Sequence, residues 1–386
     1  MAHRNDPPKR PSGVARDERI RVIRDTLADG RDLIYFDDAG TALGPERRAD
    51  ARTLDPRPPT AVVRRDPLTR EWISVAAARQ NRVMLPPAHL DPLAPQSEGN
   101  PSELPDLYDV AVFENRSPSF GPDSGRATGP AGATGDPTAL TAQSVGRCEV
   151  VCFSPDHEGS FATLGDTRAR TVIEAWAHRT AELSALDGVV QVFPFENRGE
   201  AIGVTLHHPH GQIYAYPYVT PRTERLQAAI ADHGSSLMAD ILDRERASER
   251  VLIAGEHWTA FVPFAARWPV EVHVLPHRDV PDFAATTLAE RDELASLYPR
   301  LLRGVDALYD TPTPYIGAWH QAPTSGGDGI RLMAQITSPR RGEDKLKFLA
   351  GSEAAMGAWV ADVVPERAAA QLRDAIARAD EMEGAA

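Results

Sequence analysis

Cysteine is scarce. The 386-residue chain holds only two, Cys148 and Cys152, which excludes a small disulfide-stapled scaffold. No bond is expected between them. Their surroundings read as an apolar strand, and four residues of strand span about 13 Å, beyond the roughly 7 Å that a disulfide bridges between Cα atoms. Long apolar runs are missing too, since nothing reaches the ~18 consecutive apolar residues of a membrane-spanning helix. The first residues are charged and proline-rich, without the apolar centre of a secretory leader. A soluble, cytoplasmic protein without a membrane partner is expected. Positive charge is in deficit: Lys plus Arg number 42 against 55 Asp plus Glu, a formal net charge of −13. Broad nucleic-acid binding needs a basic face that displaces counterions, so no nucleic-acid partner is expected. A local basic pocket for one phosphorylated small molecule remains compatible with this balance.

What is present is a globular composition. Hydrophobic residues make up 42%, enough for a packed core, and the length suits two or three domains. Residues 1–19 are expected to be a disordered tail, followed by an N-terminal half over 20–220 and a C-terminal half over 221–386. A glycine- and proline-rich stretch, 121–137, is expected to be a flexible surface loop. Strands are expected at Asp32–Phe36, Cys148–Phe153, Val189–Phe195, Ala201–Tyr216, Trp258–Pro263 and Val270–Leu275. Helical spacing marks Arg168–Leu186 and Pro365–Met382. A capping box, Thr287 to Glu290, opens a third helix, which Pro299 should kink or split.

The two halves resemble each other. Glu149-Val-Val-Cys-Phe-Ser-Pro-Asp-His157, then Phe161 and a helix, parallels Glu271-Val-His-Val-Leu-Pro-His277, then Phe283 and a helix. If that register holds, His208 and His210 face Met333 and Gln335. One half would then carry the chemistry and the other serve packing and binding.

Three of the twelve histidines crowd into His207-His208-Pro209-His210-Gly211-Gln212. On a strand, His208, His210 and Gln212 share one face about 6.6 Å apart, and Gly211 opens the backbone to close approach by a ligand. Spacing alone leaves three readings: hydrogen-bonded structural histidines, metal ligands, or a nucleophile attacking phosphorus. The upstream segment Asn197-Arg-Gly-Glu-Ala-Ile-Gly203-Val-Thr205 brings glycines, a hydroxyl and an amide near the histidines, which suits a phosphate. The residues by themselves therefore point to a phosphate-handling site with a histidine nucleophile.

His208-Pro-His-Gly-Gln212, with Phe195-Glu-Asn-Arg-Gly199 before it, resembles the galactose-1-phosphate uridylyltransferase family, a branch of the histidine-triad superfamily. So do Asp66-Pro-Leu-Thr-Arg-Glu-Trp72, Phe113-Glu-Asn-Arg116, Phe153-Ser-Pro-Asp-His157, Glu256-His-Trp258, Gly317-Ala-Trp-His320 and Lys347-Phe-Leu-Ala-Gly-Ser-Glu353. The resemblance implies an α+β fold of two histidine-triad-like halves, mostly antiparallel sheet with packed helices. It implies ping-pong transfer of UMP from UDP-glucose to galactose 1-phosphate through a uridylyl group on His210. Gln212 would hydrogen-bond the phosphoryl oxygens. Arg79, Arg82, Asn115 and Arg116 match nucleotide-contacting positions. Asn197, Gly203 and Thr205 match positions around the uridylyl phosphates, and Lys347, Phe348 and Glu353 positions near hexose and phosphates. A homodimer with sites built across its interface is implied.

Departures from the family pattern concern metal. Family members often carry a Cys-x-x-Cys zinc site completed by the histidines matching His157 and His208. Here Asp91 and Ala94 stand where the thiolates would be. A second metal site in some members uses a His-x-His, here Met333 and Gln335, and of that site only His320 is clearly kept. No cofactor is expected to be required, with a weak zinc site on Asp91, His157 and His208 as the alternative. The alternatives for function are a nucleotide-sugar or dinucleotide phosphorylase on the same scaffold, and a non-catalytic nucleotide-sugar-binding paralogue.

Overall fold

The computed structural model describes residues 15–55, 57, 62–81, 85–121, 136 and 138–385. The first half supplies β1 (Arg21–Thr26), β2 (Asp32–Asp37), β3 (Val62–Arg65), β4 (Trp72–Val75), β5 (Val110–Glu114), β6 (Thr141–Gln143), β7 (Arg147–Cys152), α1 (Asp166–Ser184), β8 (Gln191–Arg198) and β9 (His210–Tyr216). The second half adds α2 (Pro221–His233), α3 (Leu237–Arg246), β10 (Val251–Ala254), β11 (Trp258–Phe261), β12 (Val270–Pro276) and α4 (Leu288–Asp306). It ends with β13 (Tyr315–His320), β14 (Met333–Ser338), a hairpin of β15 (Arg340–Gly342) and β16 (Lys345–Leu346), and α5 (Pro365–Gly384).

Eleven strands form one antiparallel sheet, so the α+β expectation holds. From its centre outward, the first half runs β8, β9, β7, β5, β2, β1 and the second runs β13, β14, β12, β11, β10. Each half threads strand, helix, strand, strand, as β7–α1–β8–β9 and β12–α4–β13–β14. The duplication is therefore real in topology. The expected facing of the His pair and the Met/Gln pair is not, because β8 and β13 lie between β9 and β14. His210 stands opposite Cys152, Met333 opposite His320, and Gln335 between Ala318 and His273. β3, β4 and β6 make a separate small sheet.

Strand alternation decides which face does what. On β9, Ile213 and Ala215 are fully buried in the core with Val172, Ile173 and Trp176 of α1. His210, Gln212, Tyr214 and Tyr216 stand on the opposite face, half-buried. Trp176 and Tyr298 of the two long helices both meet Trp319 of β13, at ring-centroid distances of 5.8 and 5.3 Å. One core thus serves both halves.

Several local expectations need correction. The strand expected over 201–216 begins only at His210. A 3-10 turn at Glu200–Ile202 precedes it, between Gly199 at φ +95° and Gly203 at φ +81°. These left-handed conformations, with Pro209, break the ladder. α4 remains one helix despite Pro299, since Leu294, Leu297, Leu301 and Val305 hold it in the core on both sides of the proline. Its capping box is formed, with Thr287 N donating to Glu290 Oε2 at 2.7 Å. The expected disordered tail lies outside the described residues through position 14. Beyond it the chain is anchored: Arg291 Nη1 donates to the Ala15 carbonyl at 2.7 Å, and Asp17 is buried 3.3 Å from Arg170. Of the expected loop 121–137, only Gly121 and Asp136 are described. Cys148 and Cys152 are both buried, and no disulfide joins them. Among the described residues, no helix is long and apolar enough to cross a membrane.

Candidate active site

His210 opens β9 as the chain leaves the Gly199–Pro209 turns. Its Nδ1 lies 2.6 Å from the backbone carbonyl of His208. A carbonyl only accepts, so Nδ1 carries the hydrogen and Nε2 keeps the lone pair. Burial holds the imidazole pKa below its ordinary value, which favours the neutral, nucleophilic ring.

Two cavities meet at this ring. One, of about 380 Å³, includes Asn197, Glu196, Gly199, His208 and His210 in its wall. The other, of about 230 Å³, is lined by Asn115, Arg116, Arg31, Thr205, His210 and Gln212. The structure thus brings together His210, Gln212, Asn115, Arg116, Asn197, Thr205 and His208. Gly203 turns the chain between the cavities without lining either. Arg79 reaches the rim, its Nη1 lying 3.5 Å from the carbonyl of Ser117, itself a wall residue. Arg82 lies outside the described residues.

Three expected residues are elsewhere. Lys347 is buried, donates to the Arg267 carbonyl at 2.9 Å and pairs with Glu353 at 2.8 Å. Phe348 is 75% exposed. None of the three lines either His210 cavity. His208 also departs from expectation: it precedes the strand, and its side chain is buried away from the shared face of His210 and Gln212. Gly211 serves packing rather than ligand approach, because a Cβ there would lie 2.8 Å from the Phe153 ring and 2.9 Å from the Phe195 carbonyl.

Two wall residues escaped the sequence reading. Arg31 is fully buried and bonds Asp29 and the Glu114 carbonyl. Nothing in its local sequence distinguished it from other arginines. Glu196 accepts a hydrogen bond from Tyr315 Oη at 2.9 Å, while burial lifts its pKa to about 7. It sits inside the Phe195–Gly199 motif, so its position was visible and its burial was not.

The expected zinc residues make a different structure. Asp91 Oδ2 lies 2.8 Å from His157 Nδ1 and 2.6 Å from His208 Nδ1. These three donor atoms are close enough together to suggest an ion. Their spacing, however, is that of hydrogen bonds, whereas two ligands on tetrahedral zinc sit about 3.3 Å apart. His208 Nε2 lies 2.7 Å from the Ser154 carbonyl and 3.1 Å from Tyr108 Oη, so both its nitrogens are engaged within the protein. The residues as placed do not fit a zinc shell. Burial opposes ionisation of Asp91, but the hydrogen bonds from His208 and His157 prevail and hold its pKa near about 2. At the counterpart position in the second half, His320 Nε2 lies 3.1 Å from Gln335 Oε1, and Gln335 Nε2 donates to Glu271 at 2.6 Å.

Comparison with known proteins agrees with the resemblance. The profile of the galactose-1-phosphate uridyl transferase N-terminal domain matches residues 60–220, and that of the C-terminal domain matches 222–383. A galactose-1-phosphate uridylyltransferase of Streptomyces lividans is 42% identical, across 90% of this chain and 96% of that protein. One of Thermotoga maritima is 35% identical, across 81% and 98%. A solved structure described as a uridylyltransferase superposes with a TM-score of 0.72 at 30% identity, covering 82% of this chain and 99% of its own. An ADP-glucose phosphorylase of Arabidopsis thaliana, at 21% identity and a TM-score of 0.62, shares the fold.

Proposed function

The chain belongs to the galactose-1-phosphate uridylyltransferase family, and from that premise we propose that it moves a uridylyl group from UDP-glucose to galactose 1-phosphate, in the cytoplasm, through His210. In the first displacement, Nε2 attacks the α-phosphorus. The nitrogen–phosphorus bond forms as the bond to the β-phosphate oxygen breaks, and glucose 1-phosphate leaves. The Nδ1 hydrogen stays on the ring, shared with the His208 carbonyl, which spreads the positive charge of the uridylylated imidazole. In the second, a phosphate oxygen of galactose 1-phosphate attacks the same phosphorus and His210 leaves as neutral imidazole. Neither step requires a proton donor. Gln212, on the same face of β9 as His210, hydrogen-bonds the phosphoryl oxygens in this reading without protonating them, as a neutral amide can.

The observation that carries this reading is the 2.6 Å contact between His210 Nδ1 and the His208 carbonyl, which leaves Nε2 as the nucleophile between two cavities. UDP-glucose alone should add one acid-labile uridylyl group, seen by intact mass, to wild type and not to His210→Ala. Equal labelling of both chains would remove His210 from the role.

Two further points belong to the same reading. Asp91 holds His157 and His208 through hydrogen bonds of 2.8 and 2.6 Å, so the pair needs no metal to position it. Lys347, Phe348 and Glu353 serve the site of a second copy in a homodimer. Supporting this, Phe348, Met356, Val360 and Val364 form an exposed apolar run on the stretch that carries them.

A further inference from the structure

A third cavity, larger than either at His210, lies in the second half. It measures about 600 Å³ and rests on β11, β12, β13 and β14 through Phe261, His273, Leu275, His320 and Met333. The 230 Å³ cavity rests on β5, β7 and β9 through Phe113, Val150, His210 and Gln212. Counted outward from the centre of the sheet, β11, β12 and β14 are the counterparts of β5, β7 and β9. The duplicated fold therefore carries a duplicated pocket, with Met333 and Gln335 on the strand that answers to the one bearing His210.

The new pocket has the wrong charge for a spent one. Arg222, Arg225 and Arg267 line it. Arg244 and Glu245 also line it, paired with each other, and Arg225 and Arg267 are exposed, so that of the three arginines Arg222 alone is withdrawn from solvent. Arg222 is half-buried at the start of α2; burial and Arg267 lower its pKa, and Glu271 opposes them. Glu271 lies beneath the wall and is committed to Gln335, His273 and the Arg267 backbone. A partly desolvated cation is costly where the nearest counter-charge is shared with other groups. An anion entering the pocket would supply that charge. Apolar and aromatic side chains, Phe264 and Trp359 among them, make up much of the remaining wall, which suits a flat ring. The volume is in the range of small-molecule sites.

We infer that this cavity is a second, non-catalytic nucleotide site, with phosphate against Arg222 and its arginine neighbours and the base against the aromatic wall. The choice of a nucleotide over another organic anion rests on the reading of the first half as a uridylyl site. The test is equilibrium dialysis of the full chain with labelled UMP, which cannot donate a uridylyl group to His210. Two sites per chain are expected. Arg222→Gln should weaken one of them roughly tenfold or more, the loss of a charge-assisted hydrogen bond, and leave uridylyl transfer unchanged. Phe264→Ala should weaken UMP there while leaving inorganic phosphate unaffected. A single site, or two sites indifferent to Arg222→Gln, overturns the inference. Displacement by inorganic phosphate as readily as by UMP overturns the nucleotide assignment. Failure of the His210 reading would show separately, as an unlabelled chain after UDP-glucose, with the UMP count unmoved.

Discussion

His210 has one lone pair to offer, and its neighbours act on that lone pair or on the phosphorus before it. Gln212, two residues on and on the same face, acts on the phosphorus. Removing one such donor commonly lowers the rate about 10²–10³-fold, so Gln212→Ala should lose turnover in that range at an unchanged melting temperature. Full turnover at saturating substrate would remove Gln212 from the reaction. Asp91 acts at a distance, holding His208, whose carbonyl orients the nucleophile. Breaking a buried pair of this kind costs roughly 3–5 kcal/mol. Asp91→Ala should therefore melt well below wild type, whereas dialysis against a chelator should leave both melting and transfer of the wild type in place. One tightly held zinc, with unfolding on its removal, would contradict the hydrogen-bonded arrangement. The carboxyl, held near about 2 against 3.8 when free, stabilises the fold above about pH 4, and that contribution fades as pH falls toward 2. Motif spacing located His210 and Gln212, and the family resemblance located Asp91. Spacing placed His208 on the face of His210 because a strand was read through Pro209, and only the backbone turn shows that His208 works through its carbonyl.

At the level of elements, the informative pair is β8 and β13. Tyr315 of β13 reaches across to Glu196 of β8, and Arg198 pairs with Asp306 at 2.6 Å. Glu196 titrates near 4.5 when free and is lifted by burial to about 7 here. Between those values the folded chain keeps a proton that the unfolded chain has released, so stability falls as pH rises through that window. Glu196→Gln abolishes the difference. The variant's melting temperature should gain on that of wild type from about pH 4.5 to about pH 7 and hold its lead above; a gap constant over that range would mean an ordinary carboxyl. Elements with strong periodicity, such as α1 and β7, were legible within two or three residues. The break before β9 was signalled by Gly199 and Gly203, but a glycine's positive φ cannot be read from its letter. The burial of Glu196 was not legible, since it depends on β13, well over a hundred residues later.

At the scale of the whole molecule, Lys347, Phe348 and Glu353 line neither of the cavities they were expected to join. A second copy resolves this if each chain lends these residues to the other. Mixing His210→Ala chains with Lys347→Ala chains, and allowing subunits to exchange, should then restore activity that neither has alone, because one site of the mixed dimer is intact. No recovery, with dimers present, would place Lys347 outside the partner's site. The duplication was visible in the sequence as two similar strand-and-helix runs. How they join was not, because hydrogen-bonded backbone leaves no trace in side-chain pattern.

That join has a consequence for the origin of the architecture. β8 meets β13 antiparallel over Phe195–Arg198 and Tyr315–Ala318. Were the chain divided between β9 and α2, β8 would become a sheet margin with its amides and carbonyls unpaired. An antiparallel margin can satisfy itself against its own copy around a two-fold axis. The middle of this sheet thus has the form of a homodimeric contact enclosed within one polypeptide. Tethering the two parts makes their encounter unimolecular, with an effective concentration of the order of millimolar for a short connection. Two such margins no longer have to be self-complementary, and the two halves differ accordingly, with His210 on β9 and Met333 and Gln335 on β14.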